Sequence, residues 1–173
     1  VKTLKTIFVF LTIFILISLY LPKHLNPHFS MSRSIVIKAP VSEVYKRLPD
    51  LNEYVKWNPF ADSKQQSEVT GVGLNSFLTW RGGDSGEGKM TITQMEPNHK
   101  IKINMEFYKP MKGEGVVWWI VVPTPDGNTE FKWTFDQDLP YFNRYFGLFM
   151  ERMMGKYFEK GLNTYKAIVE SSK

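Results

Sequence analysis

From about Gln66 to Pro140 the apolar residues recur at every second position, and beyond that point they recur at every third or fourth. This change of period limits the fold more than any other feature. A run of half-buried antiparallel strands has one dry face that something must cover, and a single long helix follows to cover it. The alternation is clearest over Lys100 to Tyr108, where Ile101, Ile103, Met105 and Phe107 interleave with Lys102, Asn104 and Glu106. Thr129 to Gln137 repeats it with Phe131, Trp133 and Phe135. Val116 to Val122 is apolar on both faces, as expected of a strand covered twice. Turn residues separate the runs: Arg81 to Gly88 with four glycines, Glu96 to His99 around Pro97, Lys109 to Gly113, and Pro123 to Asn128 with Asp126-Gly127. Connections this short join antiparallel neighbours, so the middle of the chain is a meander of about six strands.

The closing helix carries Met150, Met154, Tyr157, Gly161, Tyr165 and Ile168 on one stripe. Met153, Phe158, Leu162 and Val169 flank the stripe, while Glu151, Lys156, Glu159, Lys160 and Lys166 face away. Before the meander, Ser34 to Ala39 reads as a strand, and Pro40 opens a short helix through Val41, Val44, Tyr45 and Leu48 that Pro49 closes. Leu51, Tyr54 and Val55 make a second, ended by Trp57-Asn58-Pro59. The expected class is α+β: a curved antiparallel sheet of about six to seven strands wrapped around the C-terminal helix. A strongly twisted sheet cannot follow a straight helix along its whole length, so such a grip tends to leave a cavity between the two.

Ile7 to Leu21 is apolar except for Thr12, Ser18 and Tyr20, with Lys2 and Lys5 before it and Lys23 and His24 after it. Thr6 to Leu21 as a helix covers roughly 24 Å, enough to cross a bilayer if the flanking lysines snorkel or the bilayer thins. Leu-Pro-Lys-His-Leu-Asn-Pro offers no small-residue pair for a signal peptidase, which favours an uncleaved anchor over a cleaved signal. The division expected is 1–22 anchor, 23–32 linker and 33–173 folded domain. Lys2 and Lys5 outweigh Lys23, which favours the domain outside the cytoplasm.

The formal charge of +5 belongs largely to the tether. Residues 1 to 33 hold four of the 22 basic side chains and none of the 17 acidic ones, so the rest carries 18 against 17. A nearly neutral domain lacks the basic footprint of a nucleic-acid binder. No cysteine is present, which excludes disulfides, zinc–thiolate sites and cysteine nucleophiles. His24 and His28 lie beside prolines where no helix can align them as ligands, and His99 opens a strand, so neither metal nor other cofactor is expected. Arg81 to Lys89 lacks the Gly-Lys-Ser/Thr ending of a phosphate loop and opens a strand, which makes it a hairpin turn. Ser85 beside Asp84 has no histidine near in sequence.

Ile35-Val36-Ile37-Lys38-Ala39-Pro40 with Val44, then Trp57-Asn58-Pro59, Gly86-Glu-Gly-Lys-Met-Thr-Ile-Thr and Phe158-Glu-Lys-Gly161-Leu162, follow in this order along the chain. In that order they resemble the SRPBCC superfamily, the helix-grip fold shared by START lipid-transfer domains, pollen-allergen-like proteins and polyketide cyclase/dehydrase-like proteins. The resemblance covers about residues 33 to 170. Its nearest branch is the polyketide-cyclase-like group with a single N-terminal anchor. The resemblance implies a fold and a pocket for a hydrophobic ligand, not a chemistry.

Thirteen Phe, five Trp and eight Met give such a pocket its lining. The positions expected there are Trp57, Trp80, Met90, Ile103, Met105, Phe107, Trp118 or its neighbour Trp119, Phe131, Trp133, Phe135, Met150, Met153, Met154 and Tyr157. Arg81, Glu114, Arg152 and Tyr157 are the candidates for orienting a head group or for acid–base work. The leading expectation is tethered binding or transfer of a hydrophobic small molecule or lipid. The alternatives are an enzyme of cyclase, aromatase or dehydratase type, and a tethered interaction domain with a filled core. Few titratable residues fall on inward positions, which favours binding.

Overall fold

Period-two patterning builds seven strands: β1 (His28–Ile37), β2 (Gln66–Thr70), β3 (Phe77–Arg81), β4 (Glu87–Glu96), β5 (Lys100–Lys109), β6 (Gly113–Pro123) and β7 (Thr129–Asp138). The computed structural model describes residues 2–171. All seven strands pair antiparallel in one sheet of order β1-β7-β6-β5-β4-β3-β2. Strands β2 to β7 are the expected six-stranded meander, and β1 adds to its far edge. Register shifts between β4 and β5 bend the sheet. Its concave face buries Ile101 and Ile103 of β5, Val117, Trp119 and Val121 of β6, and Phe131, Trp133 and Phe135 of β7.

Four helices accompany the sheet: α1 (Lys2–Tyr20), α2 (Val41–Tyr45), α3 (Leu51–Trp57) and α4 (Arg144–Glu170). Asp50 caps α3 by accepting a 2.9 Å bond from the Asn52 backbone N–H. Leu51, Tyr54 and Trp57 then point into the core. The second half of α4 is gripped by the sheet. Phe158, Leu162, Tyr165 and Val169 are buried at i, i+4, i+7 and i+11, and Tyr165 Oη donates to the Val44 carbonyl in α2. The helix can approach this closely because position 161 is glycine, where a Cβ would lie 2.8 Å from the Trp133 ring. The first half of α4 is different. Before Phe158 only Gly155 is buried, and Met153 and Tyr157 are exposed, so the buried stripe is rotated from the one expected through Met154, Tyr157 and Gly161.

The N-terminal region needs a correction. The stretch 23–32 expected as a linker is one only in part, because His28 to Ser32 already form β1 and face Asp138 to Thr134 of β7. Phe29 and Met31 turn inward between exposed His28, Ser30 and Ser32, a period-two pattern obscured by Pro27 directly before it. The folded unit therefore starts at His28, not at residue 33. Upstream, Leu21–His24 forms a 3-10 turn with Pro22 buried. Helix α1 is long and apolar enough to cross a membrane, and its side chains from Ile7 to Leu19 are exposed apart from half-buried Ser18.

Two truncations separate these boundaries. Removing residues 1–20 should leave a folded domain with an unchanged far-ultraviolet spectrum and a melting temperature within a few degrees. Removing residues 1–32 deletes half of β1, uncovers the β7 edge and should abolish cooperative melting. Equal melting of the two proteins would restore the linker reading.

Candidate ligand-binding cavity

Where α4 lifts away from the sheet, a cavity of about 450 Å³ opens beneath it. Its floor is the concave face, with Trp80 and Leu78 of β3, Met90 of β4, Met105 and Phe107 of β5, Val117 and Trp119 of β6, and Trp133 and Phe135 of β7. Its roof is Met153, Met154, Tyr157 and Phe158 of α4, and the loop after α3 closes the side. Aromatic faces and flexible methionines dominate, a lining that adapts to apolar guests.

The side wall is two loops held to each other. Asp62 accepts backbone N–H bonds from Lys64 at 2.7 Å and from Asp84 at 2.9 Å, and Ser85 Oγ donates to the Phe60 carbonyl at 2.8 Å. These bonds join the loop after α3 to the β3–β4 hairpin. The close approach uses Gly83, at φ +67°, where a Cβ would collide with the Asp62 carboxylate. The two N–H donors, Asp84 first, hold the Asp62 carboxyl below the usual carboxylate range. Above the wall, the Phe60 and Tyr157 rings stack 5.1 Å apart with their planes 17° from parallel, spanning the gap between loop and helix. Met153 and Tyr157 line the cavity and also face solvent, so they mark its mouth.

Polar groups in the lining are few. Tyr54 Oη donates to Asn58 Oδ1 at 3.1 Å, an oxygen that also accepts the Phe60 N–H at 3.0 Å. Burial pushes the Tyr54 phenol far above its ordinary range. The indole Nε1 of Trp119, that of Trp133 and Gln65 Oε1 are buried with no partner among the described residues. All three belong to residues that line the cavity. An unpaired buried group of this kind costs roughly 1–3 kcal/mol.

Of the positions expected from sequence, Trp80, Met90, Met105, Phe107, Trp133, Phe135, Met153, Met154 and Tyr157 meet around this space. Others lie elsewhere. Trp57 is packed among the rings of Tyr54, Trp119, Trp133, Phe131 and Tyr165. Ile103 and Phe131 are fully buried beyond the cavity wall, and Met150 packs against the outside of the core. Trp118 is on the convex face under Lys100 and Lys102, because alternation along β6 sends Trp119 inward in its place. Arg81, Glu114 and Arg152 are exposed and outside the lining, which leaves Tyr157 as the one polar candidate at the site. Ser85 and Asp84 are wall residues, with the Ser85 hydroxyl committed to Phe60.

Sequence reasoning missed Tyr54, Asn58, Phe60, Asp62 and Gln65. Part of the signal was available. Asn58 and Asp62 each accept the N–H two residues on, the local turn habit of Asn and Asp, so a doubly turned loop after Trp57 was readable. Its attachment to the β3–β4 hairpin is a tertiary contact that no local pattern carries.

Residues 28–170 match the family described as "Polyketide cyclase / dehydrase and lipid transport". Sequence comparison with curated proteins finds no match. The fold is similar to the Zhui aromatase/cyclase from Streptomyces sp. R1128, at 15% identity over 83% of this chain and 94% of that one, with a TM-score of 0.63. It is similar also to norcoclaurine synthase from Thalictrum flavum, solved with dopamine and hydroxybenzaldehyde, at 16% identity, 89% and 93% coverage and a TM-score of 0.66. A Staphylococcus aureus protein of unknown function superposes with a TM-score of 0.67 at 11% identity, over 85% of this chain and 96% of that one.

The stacked pair at the mouth should control exchange more than affinity. With an anilinonaphthalene probe followed by stopped flow, Tyr157→Ala should speed both association and release by about tenfold while Kd moves less than about threefold. A changed Kd with unchanged rates would make Tyr157 part of the binding surface instead of its gate.

Proposed function

The chain belongs to the polyketide cyclase / dehydrase and lipid transport family, and from that premise we propose that it is a membrane-tethered module binding an apolar small molecule or lipid inside the cavity under α4. The observation that carries this reading is the lining. Aromatic, methionine and aliphatic side chains surround about 450 Å³, and Tyr54, Asn58, Asp62 and Ser85 of the lining spend hydrogen bonds on the protein itself. Such a surface gains by burying an apolar body.

Proton-transfer chemistry at neutral pH works best with a group that titrates near neutrality. Two titratable side chains of the lining are displaced away from it. The Tyr54 phenol is pushed up by burial, and the Asp62 carboxyl is held down by backbone N–H groups. Both displacements favour binding over cyclase or dehydratase chemistry. The tethered reading is supported by α1, whose apolar side chains from Ile7 to Leu19 are exposed. A protein of this kind would hold its ligand beside the membrane that supplies or receives it.

Filling the cavity tests the proposal. Met154→Trp should raise the Kd of an apolar fluorescent probe by about tenfold or more and leave the melting temperature unchanged, because the added volume enters free space. If the position is ordinary packed core, the same change should destabilise by about 1–3 kcal/mol, with no probe affinity to lose. Arg81→Ala and Glu114→Ala, both outside the lining, should leave probe affinity untouched.

A further inference from the structure

The first half of α4 presents an apolar face that the fold leaves bare. Phe146, Phe149, Met153 and Tyr157 recur at i, i+3, i+7 and i+11, which puts them in one sector of the helix. Phe146 is 54%, Phe149 61% and Met153 64% exposed, and Phe142 and Leu148 beside them are open to solvent as well. From Leu139 to Met150 the single charged side chain is Arg144. Its guanidinium is turned onto the Leu139 and Pro22 carbonyls. A contiguous row of this kind marks a surface made to be covered.

Its cover is indicated by the place where α1 ends. The last carbonyls of a helix have no partner within it, and here the 3-10 turn Tyr141–Asn143 and the first residues of α4 provide them. Tyr141 Oη donates to the Leu19 carbonyl at 2.8 Å, and Tyr145 Oη donates to that of Ser18 at 2.7 Å. Arg144 Nη1 reaches the Pro22 carbonyl at 3.0 Å. These bonds fix both tyrosine hydroxyls at the level of the last turn of the apolar segment. With α1 in a bilayer that level is the membrane–water interface, where Tyr side chains concentrate. The bare row begins at the residue after Tyr145, and Met153 lies roughly 12 Å further along the helix axis.

We infer that the exposed face of α4, Phe146 to Tyr157, lies in the interfacial layer of the membrane that α1 spans, so that ligand passes between bilayer and cavity past Met153 and Tyr157 without crossing water. Those two residues belong both to the bare face and to the mouth of the cavity. The inference rests on the tethered reading above and adds the route. A helix with an aromatic face and cations at its flanks, here Lys23, Arg144, Arg152 and Lys156, is suited to lie at an interface.

The chain contains no cysteine, so single cysteines at Ile13, Phe146, Phe149 and Val122 can each carry an environment-sensitive NBD fluorophore. The full chain is reconstituted into vesicles of phosphatidylcholine and phosphatidylglycerol that contain lipids spin-labelled near the headgroup or near the acyl end. Phe146 and Phe149 should emit in the blue-shifted range and be quenched by the shallow label about twofold more than by the deep one. Ile13 should be quenched by the deep label, and exposed Val122 on the convex side of β6 by neither. Water-like, unquenched emission at Phe146 and Phe149 while Ile13 is quenched overturns the docking and leaves the tether standing. Blue-shifted emission that no lipid quenches also overturns it, since a second copy or another protein then covers the face. Quenching at Phe146 and Phe149 without quenching at Ile13 overturns the inference together with the tether, since the face would then rest on a membrane that α1 does not span.

Discussion

The aromatic cluster around Trp57 is the interaction on which the other features depend. Its ring lies 4.8 to 6.2 Å from those of Tyr54, Trp119, Phe131, Trp133 and Tyr165, which belong to α3, β6, β7 and α4. Burying each such side chain is worth about 1.5–3 kcal/mol. Edge and offset ring geometry adds about 0.5–1.5 kcal/mol per pair. Against a total stability of about 5–15 kcal/mol for a domain, this cluster decides where α4 is held. It holds the second half of the helix, with Gly161 permitting the contact and Tyr165 extending it to α2. The sheet curves away from the rest, and the cavity is the space that this divergence leaves.

That origin explains the chemistry of the space. Strand faces that build a core supply its floor, so the lining inherits core composition and few titratable groups. Several of the polar residues that do reach it come from the end of α3 and the loop after it, which the Asp62 and Ser85 bonds tie to the β3–β4 hairpin. They serve the wall before they serve a ligand. Asp62 is held as a carboxylate by backbone donors, and Tyr54 is bonded to Asn58. The first half of α4 keeps its apolar residues and loses its sheet partner, which leaves the cavity mouth and a bare aromatic face on one stretch of helix beside the end of α1.

Much of this was legible in the sequence, and the limits have physical causes. The period-two run from β2 to β7, the two short helices and the long final helix follow from local patterns, and so does the choice of family. Nine of the residues expected in the cavity meet there, six because strand alternation fixes which face they share and Met153, Met154 and Tyr157 because they lie on the helix above it. Trp118 lies on the other face because β6 is apolar on both, so alternation alone could not choose between it and Trp119. Trp57, Ile103 and Phe131 share the concave side, but helix packing decides which inward residues touch empty space and which touch each other. Arg81, Glu114 and Arg152 are the expected candidates for orienting a head group or for acid–base work, but charged side chains remain at the surface unless a partner offsets the cost of burial. The beginning of β1 was hidden by Pro27, and the mutual attachment of two loops has no local signature.

On the function proposed above, the divergence of α4 from the sheet makes a binding site and not merely loose packing. Native mass spectrometry of the full chain released from lipid nanodiscs tests it directly, with the natural guest retained and no probe added. One apolar molecule should be bound per chain, still bound after residues 1–20 are removed and absent from the Met154→Trp protein. Protein of bare mass in every case, or an adduct that Met154→Trp leaves in place, would contradict it.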